Sequence, residues 1–148
     1  MKASGLRLGN LVKINGRGGD CIYRVTGISE TDIDAQCINR CDPFKEVYNE
    51  PIDNVRPAPL TEDWLVRFGF KRLDKGSVSA QFYIGENPLT HDWLFDLKWI
   101  KDYEKIPPYP FKGFAFYRNG LFEVKHVNQL QNLYFALTGE ELTLIDAT

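Results

Sequence analysis

A chain of 148 residues is long enough to bury roughly two-thirds of its unfolded surface, so folding requires neither a disulfide nor a metal. Its hydrophobic fraction of 43% and its aromatic fraction of 14% exclude an intrinsically disordered protein. A formal net charge of -2 excludes the overall positive charge that drives non-specific binding to nucleic acids, although it allows a local basic patch.

The N-terminal part of the chain has the alternating pattern of short strands. The segments are GNLVKING, CIYRVTGIS and DIDAQCI, and each places apolar residues at every second position. The glycine-rich link from Asn15 to Asp20 predicts a hairpin loop between the first two. Strands of this length and spacing, ending in EPIDNVRPAP, predict a small SH3-like or Tudor-like barrel over residues 1–59.

A proline-rich link from Arg56 to Pro59 separates this part from residues 60–148, because each proline disfavours helical geometry in the residue before it. A short helix is predicted at once, near residues 61–68, with Thr61 as its N-cap and Gly69 as its stop. Further strand patterns follow, among them GFAFYRNGLFEVK, whose Asn119-Gly120 pair is typical of a type I′ hairpin turn. Residues 60–148 are therefore predicted to form an antiparallel sheet with two short helices.

The second helix is predicted near residues 127–137, where apolar residues recur at the spacing of one buried helix face. These residues are Val127, Leu130, Leu133, Tyr134 and Leu137. The fold class predicted for the whole chain is α+β and β-rich, either as two parts or as one compact body.

Three sequence blocks, LRLGNLV, PLTEDWLVRFGF and HVNQLQNLYFALTGEEL, stand in this order along the chain. Together they resemble a family of short uncharacterised proteins that occur in Bacteroidetes genomes, prophages and phages. The segment LQNLYFALTGEEL is the most specific of the matching residues. The resemblance implies a phage or other mobile-element setting and a shared fold, and it implies no reaction, cofactor or catalytic residue.

Metal binding and catalysis find little support in the residue pattern. Cys21, Cys37 and Cys41 with His91 or His126 nominally supply three thiolates and an imidazole for zinc. The spacing counts against zinc, because there is no Cys-x-x-Cys pair and because cysteine on an apolar strand face packs as a small hydrophobe. No Gly-x-Ser-x-Gly or His-Glu-x-x-His motif occurs. The sequence therefore predicts no metal, cofactor, small-molecule substrate or enzymatic activity, and it leaves open whether the cysteines do more than pack.

Nucleic-acid binding is the alternative function. Lys13, Arg17, Tyr23 and Arg24 are predicted to cluster beside the glycine-rich loop, and cations next to an exposed aromatic ring suit stacking on single strands. Small barrels of this kind often bind nucleic acids or peptides through loop residues, which is an argument from fold alone. Acidic and basic residues balance over residues 1–60, which weakens this alternative.

Protein binding is the first function that the sequence favours. The aromatic residues of the hairpin occupy both strand faces, which exceeds what one packed face needs. These residues are Phe114, Phe116, Tyr117 and Phe122. On the terminal helix, Asn128, Gln131 and Asn132 are the candidates for exposed recognition residues. We expect one hairpin face to pack on the helix and the other to meet a protein partner or a second copy, unless both are covered within the chain. The predicted function is a non-enzymatic accessory protein that binds a protein such as a host factor.

The sequence also predicts the compartment. No apolar run reaches the roughly 18–20 residues of a membrane span, and MKASGLRLGN lacks the apolar stretch of a signal peptide. An odd number of cysteines, three, predicts reduced thiols rather than a disulfide framework. We therefore expect a cytoplasmic protein, in the host cell if the gene belongs to a phage.

Overall fold

The structure is a computed structural model that describes residues 1–75, 79–86, 93–100, 113–117 and 121–145. Within these residues the chain forms two five-stranded antiparallel sheets and two α-helices. The predicted α+β, β-rich fold class is confirmed at this level. Neither helix in the described part of the chain has the apolar length that crossing a membrane requires.

The chain divides into two compact units. The first unit consists of Met1–Pro59 and His126–Leu133, and the second of Leu60–Lys125 and Tyr134–Thr148. The sequence assigns the whole terminal helix to residues 60–148, whereas its first half belongs to the first unit. The physical reason is hydrogen bonding: Val127 N donates to Ala58 O at 2.9 Å, and further bonds described below tie this half of the helix to the first strand.

The first sheet contains β1 (Leu11–Ile14), β2 (Tyr23–Ile28), β3 (Asp32–Cys37), β4 (Glu46–Pro51) and β5 (Val55–Pro57). Its strand order is β4-β3-β2-β1-β5, and every neighbouring pair is antiparallel. The three alternating segments of the sequence are β1, β2 and β3. Among the described residues no pairing of β4 with β5 closes the sheet, so the barrel stays a prediction.

The inner face of this sheet forms the core of the first unit. Its buried residues come from all five strands and are Val12, Ile14, Tyr23, Val25, Ile33, Ala35, Cys37, Val47 and Val55. The alternation of β3 works as predicted, since Ile33 and Ala35 are buried while the acidic residues between and before them are partly exposed.

A β-bulge changes the direction of side chains on β4. Val47 pairs with Ala35 and Glu50 pairs with Ile33, so three residue steps on β4 match two on β3. Asn49 adopts the left-handed conformation at φ 53° and donates its backbone N–H to Asp34 Oδ1 at 2.9 Å. Because of the extra residue, both Val47 and Glu50 are buried.

The second sheet contains β6 (Lys71–Lys75), β7 (Ser79–Glu86), β8 (Trp93–Ile100), β9 (Gly113–Tyr117) and β10 (Leu121–Val124), in the order β10-β9-β8-β7-β6. The predicted hairpin is confirmed, because β9 pairs with β10 from Tyr117↔Leu121 to Phe114↔Val124. The predicted type I′ turn at Asn119-Gly120 lies outside the described residues.

The helix α1 (Glu62–Arg67) confirms the prediction near residues 61–68. Thr61 occupies the N-cap position, although its side chain makes no capping hydrogen bond. Gly69 ends the helix at φ 88°, a left-handed conformation that glycine adopts without strain.

The helix α2 (Val127–Thr138) confirms the second predicted helix. Gly139 ends it as a left-handed cap, with its N–H donating to Phe135 O at 2.8 Å. The predicted buried face is partly wrong, because Leu137 is 54% exposed whereas Gln131 is buried. The buried face is rotated toward the amide side of the helix.

Candidate functional site

The first unit contains a cleft of about 550 Å³ between the β1–β2 loop, the β3–β4 loop and β4. We call it the Arg17 cleft. It is lined by Asn15, Gly16, Arg17, Gly18, Cys41, Asp42, Pro43, Phe44 and Glu50. A cleft of this size, with both charged and aromatic walls, is large enough to accept the side chains of a bound peptide.

The glycine-rich loop forms one wall of the cleft. As predicted, it connects two paired antiparallel strands, β1 and β2. Gly16 and Gly18 take left-handed conformations at φ 78° and 76°, which lets the chain reverse around Arg17. Lys13 Nζ donates to Gly19 O at 2.9 Å and ties the far side of the loop to β1. The hydrogen bond and the paired strands therefore fix the backbone of the loop that carries Arg17.

Beneath the cleft, a buried phenol meets a buried carboxylate. The hydroxyl of Tyr23, which is completely buried on β2, donates to Asp42 Oδ2 at 2.6 Å. The backbone N–H of Phe44 donates to Asp42 Oδ1 at 2.8 Å. Asp42 thus has a hydrogen-bond donor on each carboxylate oxygen, as a buried polar group requires.

These contacts determine the protonation of both groups. The hydrogen bond from Tyr23, then that from Phe44 N–H and the charge of Arg17, hold the pKa of Asp42 below its ordinary value of 3.8. Burial, followed by the Asp42 carboxylate, raises the pKa of Tyr23 well above its ordinary value. Near neutral pH the carboxylate is therefore ionised and the phenol neutral, so neither is poised to exchange a proton.

Arg17 is held between two acidic residues. Its Nη1 lies 3.6 Å from Asp42 Oδ2, and its Nε lies 3.5 Å from Glu50 Oε2. The bulge in β4 turns Glu50 inward, and Asn54 Nδ2 donates to its other oxygen, Oε1, at 2.9 Å. Two carboxylates against one guanidinium leave the cleft with a net negative charge.

This arrangement bears on the residues predicted to bind nucleic acid. The structure brings Arg17 and Tyr23 together at the cleft, but the expected exposure of Tyr23 is wrong because its ring belongs to the core. Arg17 already faces two carboxylates, which repel a phosphate. Lys13 and Arg24 are partly exposed on β1 and β2. The nucleic-acid alternative stays a prediction, with these two cations as its accessible residues.

Two exposed aromatic residues, one in the cleft wall and one on β4, were not predicted from the sequence. Phe44, in the cleft wall, is 72% exposed, and Tyr48, on the edge strand β4, is 65% exposed. Tyr48 hydroxyl donates to Glu46 Oε2 at 2.5 Å, and this bond raises the pKa of Tyr48. The sequence signal was weak because EVYNEP alternates poorly once the bulge interrupts it.

The predicted interaction residues of the hairpin differ in their accessibility. Phe114 and Phe116 are buried, so the expectation that they meet a partner is wrong for the folded unit. Ala115, which points to the opposite face, is buried as well, so both faces of β9 are covered there. Phe122, on the edge strand β10, is 59% exposed and remains a candidate. The side chain of Tyr117 lies outside the described residues.

The amide residues of α2 hold the helix to the first strand. Gln131 Oε1 accepts from Leu11 N at 2.8 Å, and its Nε2 donates to Gly9 O at 3.1 Å. Asn132 Oδ1 accepts from Asn10 Nδ2 at 3.0 Å, and its Nδ2 donates to Gly5 O at 3.1 Å.

The expected exposure of two of these amides is therefore wrong. Asn128 and Gln131 are buried, and only Asn132 is partly exposed. Their pattern of amides pointed to recognition of a partner, but they recognise the backbone of their own chain instead.

The three cysteines meet in the first unit. Cys21 and Cys41 form a disulfide across 20 residues of sequence, with their Cα atoms 5.4 Å apart. Cys37 is a buried free thiol, and all three Sγ atoms lie within 4.8 Å of one another. The expectation of three reduced thiols is thus wrong for the described state. No histidine joins this cluster among the described residues, and His91 lies outside them.

Comparison of the chain with protein-family models, curated proteins and solved structures gives no match. The geometry of the Arg17 cleft, the exposed aromatics and the cysteine cluster is therefore the basis for a functional conclusion.

Proposed function

We propose that this chain is a non-enzymatic interaction protein that binds a protein partner at the Arg17 cleft. The observation that carries the proposal is Phe44, a large aromatic side chain that is mostly exposed in the wall of the charged cleft. A second exposed aromatic residue, Tyr48, lies on β4, the strand that also supplies Glu50 to the cleft. Aromatic residues are enriched at protein interfaces, and a few of them often carry much of the binding energy.

We also propose that the first sheet is an SH3-like barrel. Support comes from the strand order β4-β3-β2-β1-β5 and from the 3-10 turn Ile52–Asn54 between β4 and β5. Small barrels of this type commonly bind peptides. The phage or mobile-element setting and the host cytoplasm belong to the same proposal, and their support is the sequence resemblance and composition.

The chemistry of the cleft suggests the kind of segment that it accepts. Asp42 and Glu50 outnumber Arg17 in charge, so the complement is a basic side chain that competes with Arg17, next to an apolar residue packed on Phe44. The edge of β4 is a poor template for an added strand, because the bulge at Asn49 and the ring of Pro51 interrupt its ladder. The partner therefore binds through side chains.

Selection from a displayed peptide library tests this proposal. We expect selected peptides to share a basic residue beside an apolar one, and Phe44→Ser or Tyr48→Ser to weaken their binding by about tenfold or more, which is about 1.4 kcal/mol. The matched control is Phe122→Ser, which changes another aromatic residue that is more than half exposed, on β10. Binding that survives both the Phe44 and the Tyr48 substitution contradicts the proposal, and loss only in the control transfers the site to β10.

Sedimentation of the chain alone distinguishes a second copy from a different protein. A dimer that dissociates in Phe44→Ser identifies this chain as its own partner at the cleft. A monomer at all concentrations, with peptide binding intact, leaves a different protein as the partner.

A further inference from the structure

The fold brings together three thiols that the sequence keeps far apart. Cys21 lies two residues before Tyr23, and Tyr23 pairs with Cys37 in the β2–β3 ladder. Cys41 returns on the β3–β4 loop, so that all three Sγ atoms lie within 4.8 Å of one another. A disulfide uses only two sulfur atoms, so pairing of Cys21 with Cys41 does not account for the third thiol of the cluster.

We propose that the reduced form of this cluster binds one zinc ion through the three thiolates of Cys21, Cys37 and Cys41. Zinc–sulfur bonds of about 2.3 Å place tetrahedral thiolates about 3.8 Å apart. The three Sγ atoms already lie within 4.8 Å of one another, so small side-chain adjustments give this separation after reduction. Soft thiolate ligands select zinc over the abundant hard cations. The fourth position belongs to a water molecule or to Asn39 Oδ1, which already accepts from Cys37 Sγ at 3.4 Å.

The step from disulfide to metal site is balanced by a dithiol reductant. The reductant supplies two electrons and two protons, which break the Cys21–Cys41 bond and leave two thiols, while the reductant closes its own disulfide. Zinc then displaces one proton from each of the three thiols. In a reducing compartment the thiol form is the favoured one, which agrees with the cytoplasm that the sequence predicts.

The surroundings of the cluster suit a buried metal. Cys21 and Cys37 are buried whereas Cys41 is exposed in the wall of the Arg17 cleft, which gives the ion an entry path. Gly18 approaches Cys21 so closely that an added Cβ would lie 3.2 Å from its Sγ. This inference is independent of the proposed protein partner.

Cobalt titration of the reduced chain, kept anaerobic with a phosphine reductant, tests the inference. We expect one cobalt per chain, with thiolate-to-cobalt charge-transfer absorption and the intense visible bands of a tetrahedral site, and displacement of cobalt by zinc. Cys37→Ser should lower the cobalt affinity by about 100-fold or more. The same variant should keep the cooperative thermal unfolding of the wild type, which shows that it folds, and it should still form the Cys21–Cys41 disulfide on oxidation.

Cys41→Ser provides a second variant, because Cys41 is exposed and its substitution leaves the core intact. It should lose cobalt affinity to a similar extent. Absence of thiolate–cobalt absorption in the reduced wild type overturns the inference, as does unchanged affinity in both variants. Equal binding by the oxidised chain, in which one thiol remains, also overturns it.

Discussion

The hydroxyl of Tyr23 donates to Asp42 Oδ2 at 2.6 Å, and this bond joins the first residue of β2 to the loop that forms a wall of the Arg17 cleft. Tyr23 therefore serves two purposes, because its ring fills the core of the first unit while its hydroxyl holds a charged residue in place. Asp42 in turn accepts from Phe44 N, so the position of an exposed aromatic residue depends on a buried phenol.

Removing that hydroxyl should destabilise the first unit. Tyr23→Phe leaves the buried Asp42 carboxylate without one of its donors, and we expect a loss of about 1–3 kcal/mol in the free energy of unfolding. Chemical denaturation measures this loss. The control is Tyr48→Phe, which removes an exposed hydroxyl bonded to Glu46 and should change stability by less than about 0.5 kcal/mol. Equal effects of the two substitutions would contradict the importance of the buried bond.

The pKa of Asp42 predicts how stability depends on acid. The unfolded chain protonates this carboxyl near its ordinary pKa of 3.8, and the folded chain only at lower pH. The resulting stabilisation is complete above the ordinary value and disappears as the pH falls through the lowered pKa. Urea denaturation from about pH 5 to pH 2 should therefore show a shallower decline for Asp42→Asn than for the wild type. Parallel declines would mean that other carboxyls dominate acid unfolding.

Alanine substitutions at three glycines of the β1–β2 loop distinguish the stability cost of backbone strain from the cost of side-chain crowding. Gly18→Ala places a Cβ at a left-handed φ and 3.2 Å from Cys21 Sγ, so we expect a loss of about 1–2 kcal/mol. Gly16→Ala has the same strain in open space and should cost less. Gly19→Ala has neither problem and should stay within about 0.5 kcal/mol of the wild type. Thermal denaturation gives the order, and an equal cost for Gly16 and Gly18 would exclude crowding at the sulfur.

The hydrogen bonds of the Gln131 side chain lead to a similar prediction about stability for α2. Gln131→Leu removes the acceptor for Leu11 N and the donor to Gly9 O, and it should cost about 2–3 kcal/mol. Hydrogen exchange at the Leu11 amide should accelerate in parallel, which a loss of packing elsewhere would not cause. Ala136→Leu, which introduces the same side chain on the exposed side of the same helix, should be nearly neutral. A neutral Gln131→Leu would show that water replaces the amide at no cost.

Local patterns sufficed to predict much of the fold. The alternation of Ile33 and Ala35 predicted a half-buried strand, and Gly69 predicted where the first helix ends. These features depend on residues close in sequence, where periodicity and backbone preference act directly. The hairpin of β9 and β10 was predictable for the same reason.

The candidate site depended on contacts between residues distant in sequence. The inward turn of Glu50 follows from a bulge that exists only in the pairing of β4 with β3. The burial of Gln131 follows from unpaired backbone groups near β1, which a search for apolar periodicity does not detect. The cysteine cluster follows from the register of Tyr23 with Cys37. The spacing of the cysteines along the chain did not predict the cluster, because paired strands bring them together and no short Cys-x-x-Cys loop is involved.

The amide bonds of Gln131 have a consequence for the order in which the chain folds. They join residues separated by 120 and 122 positions, so α2 must leave the ribosome before Leu11 and Gly9 gain these bonds. Until then, the nascent N-terminal sheet keeps the Leu11 amide and the Gly9 carbonyl open to water or to chaperones. The first unit is therefore completed late in folding, through contacts between residues far apart in sequence. Truncation before α2 should leave an incomplete N-terminal sheet that aggregates.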